Sequence, residues 1–286
     1  MQYVIITPAR NEEKYIERTI HSVFSQTVKP MEWIIVNDGS TDGTQDIIDS
    51  YANRVTWLKV VNRTIRANRM PGTGVMKAFY DGYNLLESSW WDFIVKLDSD
   101  LSFQEDYFEK CFSFFKQDNR LGIGGGGIYH INKNQLVLEK VPTFHVRGAT
   151  KIYRRKCWEE IGELIKSPGW DTLDEVKANM LGWRTRSFSE IKVIHHKFTG
   201  SADGSLKNMI KNGRANYISG YHPLFMLLKC IKRSWVKPYL VSSLGLSIGF
   251  ISGYILNIPQ INDKKLISYL RMQQINKLLF KPTIWK

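Results

Sequence analysis

The stretch VKLDSDLSF, residues 95–103, joins a strand-like run to two acidic side chains, and it decides the fold class. The apolar run that begins at Phe93 and ends at Leu97 is typical of a buried strand. Asp98 and Asp100 follow at its end. Residues two apart in an extended chain point to the same side, so these carboxylates converge and repel each other unless a cation lies between them. We therefore predict a divalent cation at the end of this strand.

The preceding residues contain three more strand-like runs, which alternate with helix-like segments. Ile16, Ile20 and Val23, for example, recur at the spacing of one helix face. This alternation predicts βαβ units, a mostly parallel sheet flanked by helices and an α/β domain of the nucleotide-binding type. The four predicted strands are YVIIT (3–7), EWIIVND (32–38), VTWLKVV (55–61) and DFIVKLD (92–98).

Polar residues cluster at the carboxyl ends of three of these strands, at 7–13, 37–42 and 98–100. Ligands of open α/β sheets bind at that edge, so the three clusters indicate one crevice. The cluster at 37–42 is also typical of a turn and a helix cap, and both interpretations stay open. Asp38 is the residue that capping does not require, and its carboxylate is suited to accept hydrogen bonds from a nucleobase or ribose.

The second half of the chain predicts a mixed sheet. We expect a helix at about 104–118, strands in GIGGGGIYHI and TFHVRGATKIYRR, a helix from Asp171 to Leu181 and a strand near Arg184 to His196. GIGGGG, residues 122–127, fits the G-x-G-x-x-G pattern of dinucleotide-binding loops. The strand-like IYHI follows it, whereas that fingerprint opens a helix, so we exclude NAD binding.

The composition is that of a folded protein with an uneven charge distribution. The 286 residues are 43% hydrophobic, and three cysteines are too few for a disulfide framework or a zinc site. Residues 192–286 contain 15 Lys and Arg but two Asp and Glu, so they carry the whole formal net charge of +13. That excess predicts an anionic partner, either nucleic acid or a phospholipid surface. The amino-terminal residues lack the pattern of a signal peptide, which predicts a cytoplasmic protein.

The run YLVSSLGLSIGFISGYILNI, residues 239–258, has no charged residue and is just long enough to span a bilayer. Gly245, Gly249 and Gly253 recur every four residues, which predicts a packing stripe on a helix. Basic residues flank the run on both sides, so a single span would put one cluster on the wrong side of the membrane. We therefore expect residues 201–286 to form a helical extension that lies in, or re-enters, the cytoplasmic leaflet. An ordinary soluble helix pair is the alternative, and the long apolar runs argue against nucleic acid.

Five ordered motifs resemble those of the family 2 glycosyltransferases, whose Rossmann-like fold is called GT-A. They are TPARNEE (7–13), VNDGSTD (36–42), KLDSD (96–100), RGATKIYRR (147–155) and GWDTLDEVKANMLGWRT (169–185). The resemblance covers residues 1–200 and implies a GT-A catalytic domain, with a nucleotide-sugar half at 1–100 and an acceptor half at 101–200. It also implies that Asp98 and Asp100 bind Mg²⁺ or Mn²⁺, which holds the diphosphate of a nucleotide sugar.

Members of this family invert the anomeric centre with a carboxylate base that lies on a helix. The sequence offers Asp171, Asp174 and Glu175, and we choose Asp171 because it stands eleven residues before Gly182-Trp183, as in the family pattern. Asp174 is the second candidate. Trp170 stands before Asp171, where the family pattern has Glu, and Asp171 is alternatively a helix cap. A single displacement needs one general base and no covalent nucleophile.

Four further candidate site residues lie near the boundary between the catalytic region and the extension. His195 and His196 end the last predicted strand, where an imidazole is suited to bind Mn²⁺, although alternation lets only one of them face the site. An ordinary hydrogen-bonded histidine is the alternative. Lys211 and Arg214 are expected to neutralise either the pyrophosphate or lipid head groups. The predicted nucleotide-sugar-binding residues are Thr7, Pro8, Ala9, Arg10, Asn11, Glu13, Asp38, Gly39, Lys77, Asp98, Ser99, Asp100 and Arg214.

These predictions describe a metal-dependent inverting glycosyltransferase at the cytoplasmic face of the membrane. It would move a sugar from a UDP-sugar to a lipid-linked or surface-glycan acceptor. A sugar-phosphate nucleotidyltransferase would share the sheet and the aspartates, but it needs a glycine-rich loop with a lysine after the first strand, and TPARNEE is not that loop. A non-catalytic adaptor for membrane or nucleic acid is the third class, and the three carboxylates of Asp98, Asp100 and Asp171 argue against it.

Overall fold

A computed structural model describes residues 1–63, 73–197, 205–235 and 239–285 of the chain. Its centre is a nine-stranded mixed sheet in the order β3-β2-β1-β4-β8-β6-β9-β5, with β7 paired to β6. Helices cover both faces of this sheet, so the predicted α/β class is confirmed. The strands are Tyr3–Ala9 (β1), Glu32–Asn37 (β2), Leu58–Asn62 (β3), Phe93–Leu97 (β4), Leu101–Phe103 (β5), Leu121–Asn132 (β6), Gln135–Leu138 (β7), Thr150–Arg154 (β8) and Arg184–His195 (β9).

Ten helices lie in the described residues. Those that flank the sheet are Ile16–Phe24 (α1), Thr44–Ala52 (α2), Thr73–Tyr83 (α3), Tyr107–Gln117 (α4), Arg155–Ile161 (α5) and Trp170–Met180 (α6). Those that follow the sheet are Ser205–Ile218 (α7), Pro223–Ser234 (α8), Val241–Ile255 (α9) and Lys264–Leu278 (α10).

The first half folds as the alternating pattern predicts. β1 pairs in parallel with β2 on one side and with β4 on the other, and β2 pairs in parallel with β3. Every residue of β1, β2 and β4 is buried, because helices cover both faces of these strands. The carboxyl ends of β1, β2 and β4 therefore lie side by side, and the residues that follow them meet at one edge of the sheet.

The second half is mixed, as expected, but its elements differ in detail. The glycine-rich segment is strand β6, which confirms the exclusion of a dinucleotide-binding loop. The predicted strand in TFHVRGATKIYRR is shorter, because only Thr150–Arg154 pairs with β4 and β6, and residues 143–149 form a loop. That loop lies beside the end of β4, which matters for the site. The strand β7 and the helix α5 have no counterpart among the predicted elements.

Three apolar clusters form the core. Two of them lie on opposite faces of the sheet. The third joins Leu173 and Val176 of α6 to the helices α7–α10, including Tyr217, Leu246 and Leu270. The predicted division at 200/201 falls in residues 198–204, which lie outside the described part of the chain. The shared third cluster nevertheless links the catalytic region to the helical extension.

The glycine stripe of residues 239–258 packs α9 against α7. A Cβ on Gly249 would lie 2.0 Å from the carbonyl oxygen of Ile210, and a Cβ on Gly253 would lie 2.2 Å from the ring of Tyr217. The backbones approach this closely because these positions have no side chain. α9 is 15 residues long. None of the helices in the described ranges is long and apolar enough to cross a membrane.

Candidate active site

The loops after β1 and β2 are held together by hydrogen bonds. Asn11 adopts φ +54°, which turns its side chain toward the second loop. Its Oδ1 accepts a hydrogen bond from Thr41 N at 2.9 Å, and its own N donates to Ser40 Oγ at 3.0 Å. The exposed Glu13 accepts from Gly43 N at 3.2 Å. The predicted Asn11 and Glu13 therefore build the loop walls of the crevice.

Several predicted donor-site residues belong to these walls. Thr7, Pro8 and Ala9 are buried in β1, and Thr7 Oγ1 accepts from Trp33 Nε1 at 2.9 Å within the core. Arg10 is partly exposed where the first loop begins, and Gly39 adopts φ +68° in the second. The hydroxyl of Thr7 thus has its partner within the core.

Asp38 lies where β2 meets its loop and is largely buried. Its Oδ1 accepts a hydrogen bond from Arg63 at 2.6 Å, and the same guanidinium contacts Asp81 at 2.6 Å. Arg63 is a site residue that sequence reasoning missed, since it stands just after β3 with no motif around it. A guanidinium fixed by two carboxylates gives the base of this crevice a defined hydrogen-bonding surface.

Asp98 is bound to a buried lysine. Lys96 Nζ donates to Asp98 Oδ1 and also to the carbonyl oxygen of Gly148 at 2.5 Å. Lys96 is buried although it is charged. It lies in β4, which pairs with Thr150 and Lys151 of the neighbouring strand β8. Burial raises the pKa of the Asp98 carboxyl, and the Lys96 ammonium opposes that rise. This ammonium connects the end of β4 to the 143–149 loop.

Asp100 is the more enclosed member of the pair. Its Oδ2 is 3.1 Å from His195 Nε2, whereas its buried Oδ1 accepts no hydrogen bond from the described residues. Burial lowers the pKa of His195, but the hydrogen bond and the charge of Asp100 outweigh burial and raise this pKa above its ordinary value. A buried carboxylate oxygen without a donor is costly, so it indicates a missing positive partner. Ser99, between the two aspartates, is buried.

Glu12 is a further carboxylate that sequence reasoning missed. Its Oε1 contacts Lys197 Nζ at 2.8 Å, and its Oε2 is a second buried oxygen without a donor in the described residues. Burial, with the charges of Asp100 and Asp98, raises the pKa of Glu12 to about 7. The TPARNEE motif contains two adjacent glutamates, and only the fold reveals that Glu12 faces the aspartates while Glu13 faces the neighbouring loop.

The two histidines point in different directions, as strand alternation predicts. His196 does not reach the aspartate carboxylates: its Nε2 is 2.8 Å from Ser102 Oγ and its Nδ1 is 3.2 Å from Arg18. Its side chain also stacks on Tyr15. Both ring nitrogens of His196 are thus engaged elsewhere, and His195 is the histidine that lies beside Asp100.

Asp171 lies in the first turn of α6, across the 143–149 loop from Asp98. The helix begins there because Gly169 adopts φ +90°, and a Cβ on Gly169 would lie 2.6 Å from Ser219 Oγ. A Cβ on Gly148 would lie 3.2 Å from Asp171 Cβ and 3.4 Å from its Oδ2, so the backbone of the loop lies close to this carboxylate. Burial raises the pKa of Asp171, but the positive charges of His145, Lys151 and Arg147 outweigh burial and hold this pKa below its usual value. The Asp171 carboxylate is about one quarter exposed, with a relative side-chain accessibility of 26%.

Asp174, the second candidate base, is part of a closed ionic cluster. Both of its oxygens are 2.8 Å from Lys151 Nζ, and its Oδ2 accepts from Tyr153 at 2.6 Å. Its side chain is 1% exposed, and burial raises its pKa to about 6. Glu175 lies in the same cluster, with His145 Nδ1 at 2.8 Å. In this geometry Asp174 and Glu175 are buried and paired with Lys151, whereas Asp171 is partly exposed.

Three predicted cations lie outside this group. Lys77 is exposed on α3. Lys211 and Arg214 are exposed on α7, and Arg214 donates to Ser252 Oγ of α9 at 3.4 Å. In this geometry Arg214 contributes to the α7–α9 packing rather than to the aspartate pair.

Comparison with known proteins identifies the chain's family. Residues 4–168 match the family model described as Glycosyl transferase family 2, which is more than half of the chain. The chain belongs to this family. The chain is also similar to Bacillus subtilis TuaG, which is named for glycosyltransfer in teichuronic acid biosynthesis, with 35% identity over 113 residues. That match covers 40% of this chain and 41% of TuaG, so the chain matches less than half of that relative's length.

Solved structures share the fold of this chain. Staphylococcus aureus TarS 1–349 has a TM-score of 0.55 at 17% identity, covering 98% of this chain and 86% of that one. TarS 1–349 has also been crystallised with UDP-GlcNAc. The mannosyltransferase PcManGT of Pyrobaculum calidifontis, in complex with GDP-Man and Mn²⁺, has a TM-score of 0.56 at 14% identity, covering 98% and 88%. The GT-A architecture is thus established for this chain.

The chemistry of the acidic pair Asp98 and Asp100 suits a hard divalent cation. Within the described residues no set of three or more His, Cys, Asp and Glu side chains is arranged around one metal position. Mg²⁺ and Mn²⁺ do not require such a cage, because they bind one or two carboxylates and take their other ligands from water and phosphate. The unpaired Asp100 Oδ1 is suited to this role, and Asp98 is partly exposed beside it.

Proposed function

We propose that the protein is a metal-dependent inverting glycosyltransferase that uses a nucleotide-diphospho-sugar, with UDP as the nucleotide. The observation that carries the proposal is the pair Asp98 and Asp100 with a buried, unpaired oxygen, placed across one loop from the ionised Asp171. The acidic pair is suited to hold a diphosphate through a metal ion, and Asp171 is suited to deprotonate an acceptor, which are the two tasks of the reaction. The complex of TarS with UDP-GlcNAc supports the choice of UDP.

The loops after β1 and β2 are proposed to bind the nucleoside. Asp38 is held by Arg63 at the base of the crevice, and its carboxylate accepts hydrogen bonds from the base or ribose. The backbone of these loops is fixed by their mutual hydrogen bonds, for example between Asn11 and Thr41. A preformed pocket loses less entropy when the nucleoside binds.

Asp98 and Asp100 are proposed to bind Mg²⁺ or Mn²⁺, with His195 orienting Asp100 through its 3.1 Å hydrogen bond. Bound there, the cation would neutralise charge on the leaving nucleoside diphosphate. Lys96 keeps Asp98 fixed against the 143–149 loop, and Lys197 keeps Glu12 fixed at the opposite wall. These contacts hold the donor side of the crevice in place.

Asp171 is proposed to be the general base. Its carboxylate takes the proton of the acceptor hydroxyl while that oxygen attacks the anomeric carbon and the bond from this carbon to the phosphate oxygen breaks. The nucleoside diphosphate leaves, and the single displacement inverts the configuration. The lowered pKa keeps Asp171 ionised at neutral pH, so it is ready to accept a proton.

The acceptor is proposed to be a lipid-linked or surface glycan, used at the cytoplasmic face of the membrane. The amino-terminal end of α6, where Asp171 lies, packs against the helical extension, since Gly169 approaches Ser219 of that extension. Residues 192–286, which include the extension, carry the whole positive excess of the chain, and anionic lipids are enriched in the cytoplasmic leaflet. An acceptor anchored in that leaflet would reach Asp171 from the side of the extension.

The test is a panel of UDP- and GDP-sugars incubated with the protein and a membrane lipid extract, with Mn²⁺ or with a chelator. We expect UDP release and a glycosylated lipid, both lost on chelation. Release of pyrophosphate instead would indicate nucleotidyltransfer, and the absence of any product with every donor would favour a non-catalytic adaptor. Either result would overturn the proposal.

A further inference from the structure

Helices α8 and α9 each expose an apolar stripe. On α8 the exposed residues recur at three- and four-residue spacing, and the stripe ends in Trp235, which is 79% exposed. On α9 the stripe is again helical in spacing and includes Ile255, which is 73% exposed. The members are Leu224, Leu227, Leu228, Ile231 and Trp235 with α8, and Val241, Leu244, Ile248, Ile251 and Ile255 on α9. We call these ten residues the apolar face.

The apolar face is not the core-facing side of either helix. α9 buries its glycine stripe, with Gly245, Gly249 and Gly253, against α7, and α8 buries Met226 and Cys230. A surface helix normally presents polar residues outward once its apolar side is buried. α9 instead is apolar on both sides and contains no charged residue. Two neighbouring helices thus each expose five large apolar side chains, and apolar surface of this extent is of the kind that marks an interaction surface.

The charge around the apolar face selects an anionic occupant. Lys232 and Arg233 are exposed at the end of α8, and Lys264 and Lys265 begin α10. In the described residues from 205 onward the acidic side chain is Asp263, which caps α10. A second copy of the chain would bring an equally basic surface to this patch, and the two would repel each other.

We propose that the apolar face docks into the interface of a phospholipid bilayer that contains anionic lipids. The 15 residues of α9 extend over about 22 Å, less than the roughly 30 Å hydrocarbon core, so the helix lies along the interface. Its leucine and isoleucine side chains enter the acyl boundary, and the lysines contact the phosphates. Trp235 and Tyr239, both exposed, are suited to the head-group level.

This inference stands apart from the proposed catalytic function. No residue of the apolar face belongs to the crevice at Asp98, Asp100 and Asp171. Loss of docking would therefore leave the release of UDP from the donor during transfer to a soluble acceptor unchanged, and loss of catalysis would leave docking unchanged. The two proposals can fail separately.

The test uses the purified full chain and flotation with two kinds of vesicle: phosphatidylcholine alone, and phosphatidylcholine in which about a third of the lipid is phosphatidylglycerol. We expect the protein to float with the anionic vesicles and to be released as salt rises, because salt screens the lysines. Ile248→Glu with Ile251→Glu should lower the partition coefficient by at least about ten-fold, since two apolar side chains lose their burial. Lys232→Glu with Arg233→Glu should lower it for anionic vesicles.

The matched control is Leu136→Glu with Val137→Glu on β7, which changes two equally exposed apolar residues outside the helical extension. This variant should bind vesicles as the wild type does. Unchanged thermal midpoints show that a variant is folded, and Ile255→Glu, at the more exposed end of α9, replaces the pair if its midpoint falls. Equal vesicle binding by the wild type and the α9 variants overturns the proposal. So does a wild-type dimer that the α9 variants dissociate, in a protein that does not float.

Discussion

At the scale of single residues, the surroundings of each carboxylate decide its role. Asp171 and Asp174 lie three residues apart on α6, yet one is partly exposed at the crevice and the other is enclosed by Lys151 and Tyr153. We expect Asp171→Asn to lower kcat at least about 100-fold, because the amide cannot accept the proton, with little change in thermal stability. We expect Asp174→Asn to lower the free energy of unfolding by about 3 kcal/mol, because it leaves the buried Lys151 undercompensated.

Steady-state turnover and urea unfolding of both variants separate these roles. Asp171→Glu is the control, because it keeps the negative charge at this position but moves the carboxylate by one methylene group. The assignment is wrong if Asp171→Asn keeps wild-type turnover, or if Asp174→Asn is as stable as the wild type.

A second residue-scale prediction concerns Lys96. Its ammonium forms an ion pair with the Asp98 carboxylate and therefore repels a divalent cation that binds to this carboxylate. We expect Lys96→Met to bind Mn²⁺ at least about ten-fold more tightly, because that repulsion is lost. We also expect slower transfer, because Asp98 and the Gly148 carbonyl lose their shared partner.

Electron paramagnetic resonance of free Mn²⁺ measures the binding without depending on activity. Lys59→Met, which removes a lysine paired with Glu32 and Glu87 away from the crevice, is the control. Unchanged Mn²⁺ affinity in Lys96→Met would show that Lys96 does not act on the metal position.

At the scale of elements, the sequence predicted the strands and helices in which apolar residues recur in a regular pattern. The observed bounds of β1, β2, β4 and α6 lie within two residues of the predicted ones. The 143–149 loop did not, because its apolar residues Phe144 and Val146 are typical of a strand. They are buried by tertiary contacts instead, among them Val146 N donating to Glu175 Oε1 at 2.6 Å. Glu12 was missed for the same reason, since only the fold defines which side of a loop faces the aspartates.

The link between this loop and α6 predicts a pH dependence of stability. His145 of the loop contacts the buried Glu175 of α6. Burial lowers the pKa of His145, but the charge of Glu175 outweighs burial and raises this pKa above 6.5. A histidine whose pKa is raised on folding contributes stability that is full below the unfolded pKa and is lost as pH rises through the folded pKa. His145→Gln keeps a donor but cannot become charged. We expect it to be less stable than the wild type by about 1 kcal/mol or more at acidic pH.

Urea unfolding across the pH range measures this difference, which should shrink as pH rises above the folded pKa of His145. His222→Gln at the start of α8 would not be a clean control, because the His222 side chain caps that helix. His21→Gln on α1 is preferable, since His21 contacts the neutral Tyr51 hydroxyl. A difference for His145→Gln that is constant with pH would exclude the ion pair as its cause.

At the scale of the whole molecule, the catalytic region and the helical extension share a core. Composition separates them sharply, since the charge excess lies entirely in residues 192–286. Packing joins them, because Leu173 and Val176 of α6 lie in one cluster with residues of α7–α10. α6 also carries Asp171, the proposed base, so the extension supports this residue as well as carrying the surface that is proposed to dock to a membrane. The sequence could not reveal this union, because the contacts join residues far apart in the chain.

The shared core predicts that the chain unfolds as one unit. Tryptophan fluorescence and far-ultraviolet circular dichroism should report a single coincident urea transition, because neither part buries its apolar surface alone. A chain that ends at residue 204 would expose Leu173 and Val176 and lose the contact of Ser219 with Gly169. We expect it to bind a hydrophobic dye and to lack a cooperative transition. If the truncated chain instead unfolded cooperatively at the wild-type midpoint, the extension would be an independent domain, and the position of Asp171 would have to be maintained by the loop at 143–149 and the ionic cluster of Lys151.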